Sequence, residues 1–157
     1  MVAALALRQA VAADAAAVRA LTREAYGKWV AVIGREPRPM TADYDEALRR
    51  HRIDLLLVDG ILAGLIETVA AVDHLLIENV AVAPAFQGKG LGRRLMAHAE
   101  HLAASLGHRT LRLYTNKLFA ENVRLYRRLG YRIDREEVLA IGIAVHMSKP
   151  LRSGAGL

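Results

Sequence analysis

No cysteine occurs among the 157 residues of this chain. Disulfides, thiolate nucleophiles and cysteine-held metals are thereby excluded, and the composition suits a reducing compartment such as the cytoplasm. Aromatic residues make up only 5% of the chain, with one tryptophan and two phenylalanines, too few for a platform that stacks successive bases. No apolar run approaches the ~20 residues of a membrane-crossing helix. Residues 1–7 are apolar but lack the basic segment of a secretory leader, and Arg8 follows at once. The expectation is a cytoplasmic protein with no membrane partner. Its length fits one domain, placed over residues 1–150, with a small, mobile tail at 151–157. No internal repeat or linker is visible.

Positive charge is present in excess. Lys and Arg number 22 against 16 Asp and Glu, a net +6 with a pI near 10.1. Its placement says more than its sum. Residues 85–132 hold ten bases and only Glu100 and Glu121 as acids, a net +8; the rest of the chain, with 12 bases and 14 acids, carries −2. A polyanionic small molecule explains this clustering as well as a nucleic acid does, and without interleaved aromatics no nucleic-acid partner is expected.

Inside that basic segment lies the stretch that organises the chain. An apolar, β-branched run over residues 75–83 reads as a buried strand stopped by Pro84. After a short turn come Gln87, Gly88, Lys89, Gly90, Leu91 and Gly92, and then a helix whose Leu91, Leu95, Leu102 and Leu106 recur at helical spacing. Gly88, Gly90 and Gly92 let backbone N–H groups turn outward, and free N–H groups at a helix start suit a phosphate. Lys89, Arg93 and Arg94 add full charges at the same place. The physical reading is a pyrophosphate cradle; the alternative is a glycine-rich turn that binds nothing. A phosphate loop of the form G-x-x-x-x-G-K-[ST] is absent, and for a dinucleotide G-x-G-x-x-G the third glycine comes one residue early.

Taken in order, the chain opens on a short strand at residues 5–8. Asp14 is placed to cap a helix with Val18, Leu21 and Ala25 on its apolar face. This helix runs on through Tyr26, Trp29, Val30 and Ile33 to a break at Gly34, and a second short helix is expected over residues 42–50. The aromatic stretch here serves either peripheral packing or a substrate pocket. A hairpin follows, residues 53–58 and 61–71 joined by Asp59-Gly60. Asp73 and His74 turn the chain into the organising strand. Beyond its helix, residues 110–115 alternate as a strand, residues 116–128 form a helix closed by Gly130, and residues 131–134 and 138–148 make two last strands.

The run Gln87 to Gly92 after a V-A-V-x-P strand resembles the acyl-CoA loop of the GNAT superfamily of N-acetyltransferases. A second match strengthens this: Glu121, Asn122, Leu125, Tyr126, Leu129, Gly130 and Tyr131, after a strand ending in Thr115-Asn116, look like the family's E-N-x-x-L-Y-x-x-L-G-Y signature. The order β-α-α-β-β-β-α-β-α-β-β is that of the family. The resemblance implies an α/β (α+β) fold, a mixed and mostly antiparallel sheet of six to seven strands flanked by about four helices. It also implies acetyl transfer from acetyl-CoA, without a metal, to a primary amine of a small molecule or peptide.

By the same resemblance, the backbone N–H groups of Gly88, Lys89, Gly90, Leu91, Gly92 and Arg93 hold the pyrophosphate, with Gln87 opening the turn. The backbone of Val80, Ala81 and Val82 pairs with the pantetheine arm along an edge freed where the strand splays from the next. Asn116 and Asn122 are candidates for that arm as well. Asn116 alternatively caps its helix, and the asparagine that some members carry seven residues before the tyrosine is Phe119 here. Glu78, the one acid in the apolar run, is the candidate base; Tyr126 is the candidate acid toward the leaving thiolate, with core packing as its alternative. Tyr26, Trp29, Val30 and Met40 are candidates for the acceptor site. His98 and His101 lack the further ligands of a metal site. His146 reads as packing, with the acceptor pocket as its alternative. A homodimer is compatible with the resemblance. Other functions consistent with the chain are a non-catalytic acyl-CoA-binding regulatory domain and a basic nucleic-acid-binding module.

Overall fold

The computed structural model describes residues 3–152, so the end of the tail, residues 153–157, lies outside the described residues. Seven strands are hydrogen-bonded in the order β1-β2-β3-β4-β5-β7-β6, antiparallel except for the β4–β5 pair among the registers determined. The chain divides into two compact units. One takes the residues up to Thr68 together with Asn79–Met96; the other takes Val69–Glu78 and the residues from Ala97 onward.

In the first unit, β1 (Leu5–Gln9) pairs with β2 (Arg52–Val58), which pairs in turn with β3 (Ile61–Ala70). The β2–β3 turn is tight because Asp59 and Gly60 both take positive φ, 50° and 81°, as a two-residue hairpin turn requires. The Asp59 carboxylate also accepts the Ala4 N–H at 2.8 Å, which ties the turn to the chain before β1. Asp14 stands at the N-cap of the first helix as expected, but its side chain makes no capping bond there. It closes a 3-10 turn, Ala12–Asp14, where its carboxylate accepts the Val11 N–H at 2.8 Å and grips Arg8 at 2.9 Å. These bonds, Arg8 first, hold Asp14 down to a pKa of about 2.

Helix α1 (Ala15–Tyr26) follows, then a 3-10 turn at Gly27–Trp29, one turn of helix, α2 (Val30–Ile33), and Gly34 in the left-handed conformation. The expected second helix over 42–50 is α4 (Tyr44–Arg50), and a further turn of helix, α3 (Arg38–Thr41), precedes it; the Asp43 carboxylate caps α4 by accepting the Glu46 N–H. Val18, Leu21 and Ala25 of α1 pack with Ile53, Leu55, Leu65 and Ala81 of the strands.

In the second unit, the start of β4 (Leu75–Val82) runs parallel to β5 (Thr110–Asn116) through three pairs, Leu75↔Leu111 to Ile77↔Leu113. Helix α5 (Leu91–Ser105) buries Leu91, Leu95, Ala99, Leu102 and Ala103, whereas Leu106, counted above with that face, lies beyond the helix and is exposed. Two further expectations are corrected. The last helix, α6, spans Ala120–Arg128 rather than beginning at Asn116, because Asn116 still belongs to β5 and pairs with Ala144. The last two strands are longer than read, β6 (Arg132–Leu139) and β7 (Gly142–Pro150), with the turn at Ala140-Ile141. Residues 135–137 are charged because β6 is exposed along nearly its whole length, not because the chain turns there.

Candidate active site

The organising strand is buried on one face only. Ile77, Asn79 and Ala81 point inward, while Leu76, Glu78, Val80 and Val82 share the other, half-buried face, as the period of two requires. The β4–β5 ladder ends at Ile77↔Leu113, and β4 continues for five residues beyond it.

In the first unit, β4 leads through Ala83 into a 3-10 turn, Pro84–Phe86. The Gln87 side-chain amide donates back to the Val82 carbonyl at 3.0 Å, so this residue closes the strand end and aims the loop. Gly88 and Gly90 take φ of 77° and 80°, a conformation that side-chain-bearing residues rarely adopt. Gly92 differs from the expectation: it is already in the first turn of α5, with helical backbone. Nothing lies within 4 Å of the place a Cβ would take at any of the three.

The first bond into the loop is the Arg94 N–H to the Gly90 carbonyl at 3.2 Å. Among the described residues, the N–H groups of residues 88–93 donate to no backbone carbonyl. Leu91 anchors this turn by burial, while Lys89 and Arg93 are exposed, with the Lys89 ammonium 5.6 Å from the Phe86 ring. The result is an open loop bordered by cations at the head of a long helix.

The candidate acceptor residues fall into two kinds. Tyr26 is half-buried; its hydroxyl donates to the Asn79 side-chain carbonyl at 2.8 Å and lies 3.2 Å from the Val80 carbonyl. Asn79 in turn approaches the Tyr44 hydroxyl at 3.4 Å. Trp29 and Met40 are buried, so their side chains belong to the packed interior of this unit; Val30 is half-buried. Arg23 holds this stretch in place by donating to the Met40 carbonyl at 3.0 Å and pairing with Glu36 at 2.9 Å.

In the second unit, Glu78 is half-buried and its Oε1 accepts a hydrogen bond from the Tyr114 hydroxyl at 2.8 Å. Reading the sequence missed this contact. Its only signal was that Tyr114 sits in the alternating strand before Thr115-Asn116. His146 faces Tyr114 across the β5–β7 ladder, where its ring packs 5.8 Å from the Tyr114 ring, as the packing reading expected, and its Nε2 lies 2.9 Å from Glu137.

Tyr126 lies on α6, where desolvation pushes its phenol up to about 12, so at neutral pH it carries its proton. Its ring meets Tyr131 edge-on at 6.1 Å. Tyr131 is buried with its hydroxyl unpartnered, and burial with the charge of Glu100 pushes its phenol upward too. Asn116 does not cap α6: its side-chain carbonyl accepts the Leu118 N–H at 2.9 Å, turning the chain out of β5 four residues before the helix begins. Asn122 is half-buried in the first turn of α6. Among the described residues, no group of three or more His, Asp or Glu is placed to hold a metal ion.

The sequence pattern of the "Acetyltransferase (GNAT) family" matches residues 15–131. The chain belongs to that family. A streptothricin acetyltransferase from Streptomyces lavendulae is 40% identical over 75 residues; the match spans 46% of this chain and 40% of the relative. The PaiA N-acetyltransferase of Thermoplasma acidophilum, solved in complex with coenzyme A, has a TM-score of 0.79 at 16% identity, covering 94% of this chain and 99% of that one. The ribosomal-protein-S18-alanine N-acetyltransferase of Escherichia coli has a TM-score of 0.77 at 22% identity, covering 98% and 99%. At such identities these likenesses show the GNAT fold.

Proposed function

We propose that this protein is an N-acetyltransferase that moves an acetyl group from acetyl-CoA to a primary amine of a small molecule or peptide. The observation that carries the reading is the loop over residues 88–93, whose N–H groups have no backbone acceptor among the described residues and whose glycines leave the approach open. Such a loop fits a pyrophosphate: unpaired N–H groups at a helix start favour anions, and bulk at the glycines would block close approach. When bound, acetyl-CoA supplies a thioester, an activated acetyl whose leaving group is a thiolate.

The roles then divide by residue. Gly88, Lys89, Gly90, Leu91, Gly92 and Arg93 hold the pyrophosphate; the backbone of Val80, Ala81 and Val82 takes the pantetheine arm, with Asn116 and Asn122 as further partners. An alkyl ammonium has a pKa near ~10.4 and must lose a proton before its nitrogen can attack. Glu78 accepts that proton, directly or through a water. Tyr126 keeps its proton at neutral pH and offers it to the departing sulfur as the C–S bond breaks and the N–C bond forms. Tyr26, Trp29, Val30 and Met40 shape the acceptor side, the buried pair by fixing the backbone from beneath.

The test is amine-dependent release of free CoA thiol from acetyl-CoA, screened over amino acids, polyamines, aminoglycosides and peptide N-termini. Turnover with at least one class, slowed about a hundredfold or more in Glu78→Gln with acetyl-CoA binding kept, is the expected result. Tight acetyl-CoA binding with no turnover on any class would instead make the protein a binding domain.

A further inference from the structure

We propose that Tyr114 is a positioning residue for the Glu78 carboxylate, an inference that rests on Glu78 being the base. The two residues occupy equivalent places on parallel strands. The β4–β5 ladder ends at Ile77↔Leu113, and Glu78 and Tyr114 are the next residue on each strand, pointing to the same face. The Tyr114 hydroxyl donates to Glu78 Oε1 at 2.8 Å, which leaves Oε2 to receive a proton.

The ring that carries this hydroxyl is itself braced. Tyr114 and His146 are direct partners across the β5–β7 ladder, their rings 5.8 Å apart at 37°. His146 Nε2 lies 2.9 Å from Glu137 Oε1 on β6. Glu78, Tyr114, His146 and Glu137 thus form one chain of contacts across β4, β5, β7 and β6, the last step diagonal. By register the other charged groups on this face are Arg112 on β5 and Arg132 and Arg135 on β6, with Arg135 directly opposite His146.

The chemistry favours this arrangement for a base. A glutamate has three side-chain torsions, and a free carboxylate samples many orientations, few of them in line with an incoming ammonium. A neutral O–H donor fixes one oxygen while adding no charge. Lysine or arginine in the same place would fix the carboxylate too, but would also repel a cationic acceptor.

A double-mutant cycle tests this. Wild type, Tyr114→Phe, Glu78→Gln and the double variant are compared by kcat/KM for one amine across pH, by acetyl-CoA affinity and by melting temperature. Tyr114→Phe should lower kcat/KM about tenfold, with the loss in kcat, the worth of one hydrogen bond to a carboxylate. Acetyl-CoA affinity should stay at the wild-type value. In the Glu78→Gln background the same change should cost nothing further, because no carboxylate is left to orient.

If Tyr114→Phe leaves the rate unchanged, or costs as much without Glu78 as with it, the tyrosine is only structural and the inference is overturned. An acid limb that survives Glu78→Gln overturns the base reading itself, a different result from either. Should Tyr114→Phe lose its fold, the cycle is run with Glu137→Ala, a half-exposed position on the edge strand that removes the outermost brace. There a two- to threefold loss that vanishes without Glu78 is expected, and a loss independent of Glu78 overturns the inference.

Discussion

A tyrosine on a helix packed against another tyrosine has two possible employments, and Tyr126 separates them. Its phenol is pushed up to about 12 by desolvation alone, so at pH 7 it is a donor and never an anion. In Tyr126→Phe the ring, and its edge-on contact with Tyr131 at 6.1 Å, should persist. Only the hydroxyl goes. A donor to the departing sulfur matters most as the bond breaks, so its loss should appear in kcat and leave acetyl-CoA affinity alone. One such donor is worth about 3 kcal/mol, roughly a hundredfold; a thiolate leaves readily by itself, which sets the expectation at the lower end. Parallel kcat and binding measurements on the folded variant decide it: equal losses in both make Tyr126 a pocket wall, and a normal rate returns it to the core. Glu78 and Tyr126 could be singled out as candidates from the sequence because each stands out locally, an acid in an apolar run and a tyrosine in a signature. Tyr114 was not, since its partner is 36 positions away and only strand register brings the two together.

At the scale of elements, what could be read was whatever a local rule decides. Asp59-Gly60 fixed a hairpin turn, and the spacing of Leu91, Leu95 and Leu102 fixed the buried face of α5. What could not be read were boundaries set by long-range pairing. Asn116 looked like a helix cap, but its backbone is held in β5 opposite Ala144, so the helix waits until Ala120. Residues 135–137 looked like a turn because they are charged, whereas β6 is an edge strand that keeps charge on both faces. Gly64 is another such case, unremarkable in the sequence. A Cβ there would sit 3.0 Å from the Ala81 carbonyl and 3.2 Å from Leu95, so β3 lies close against β4 and the first turns of α5 because this residue has no side chain. Gly64→Val should destabilise the fold by about 1–3 kcal/mol, the usual cost of overpacking, read from the denaturation midpoint. An unchanged midpoint would show that β4 shifts freely, and that the strand carrying Val80 to Val82 is not held in place from this side.

Across the whole molecule the deciding quantity is where the charge lies. The net +6 is the sum of +8 over residues 85–132 and −2 elsewhere. Two ligands are compatible with a concentrated positive field, a compact polyanion and a nucleic acid, and salt distinguishes them. A duplex bound through Z phosphates loses affinity with a log–log slope near about −0.9Z, so several contacts give a steep dependence. A pyrophosphate seated on backbone N–H groups draws part of its affinity from hydrogen bonds that salt does not screen, with only the flanking lysine and arginines contributing the screened part. Acetyl-CoA at about a hundred times its Kd should therefore stabilise the folded chain by about 2.7 kcal/mol, visible as a raised melting temperature, and most of that shift should survive from 50 to 300 mM salt at constant saturation. A 20-base-pair duplex should give no shift at the higher salt. Gly90→Val should abolish the acetyl-CoA shift, since Gly90 has a φ of 80° and a side chain there would be strained and would stand in the approach to the N–H row. A duplex-induced shift with a steep salt slope, together with no response to acetyl-CoA, would reverse the assignment: the cluster of bases would then serve a nucleic acid, and the open N–H groups at the head of α5 would be only the ordinary end of a helix.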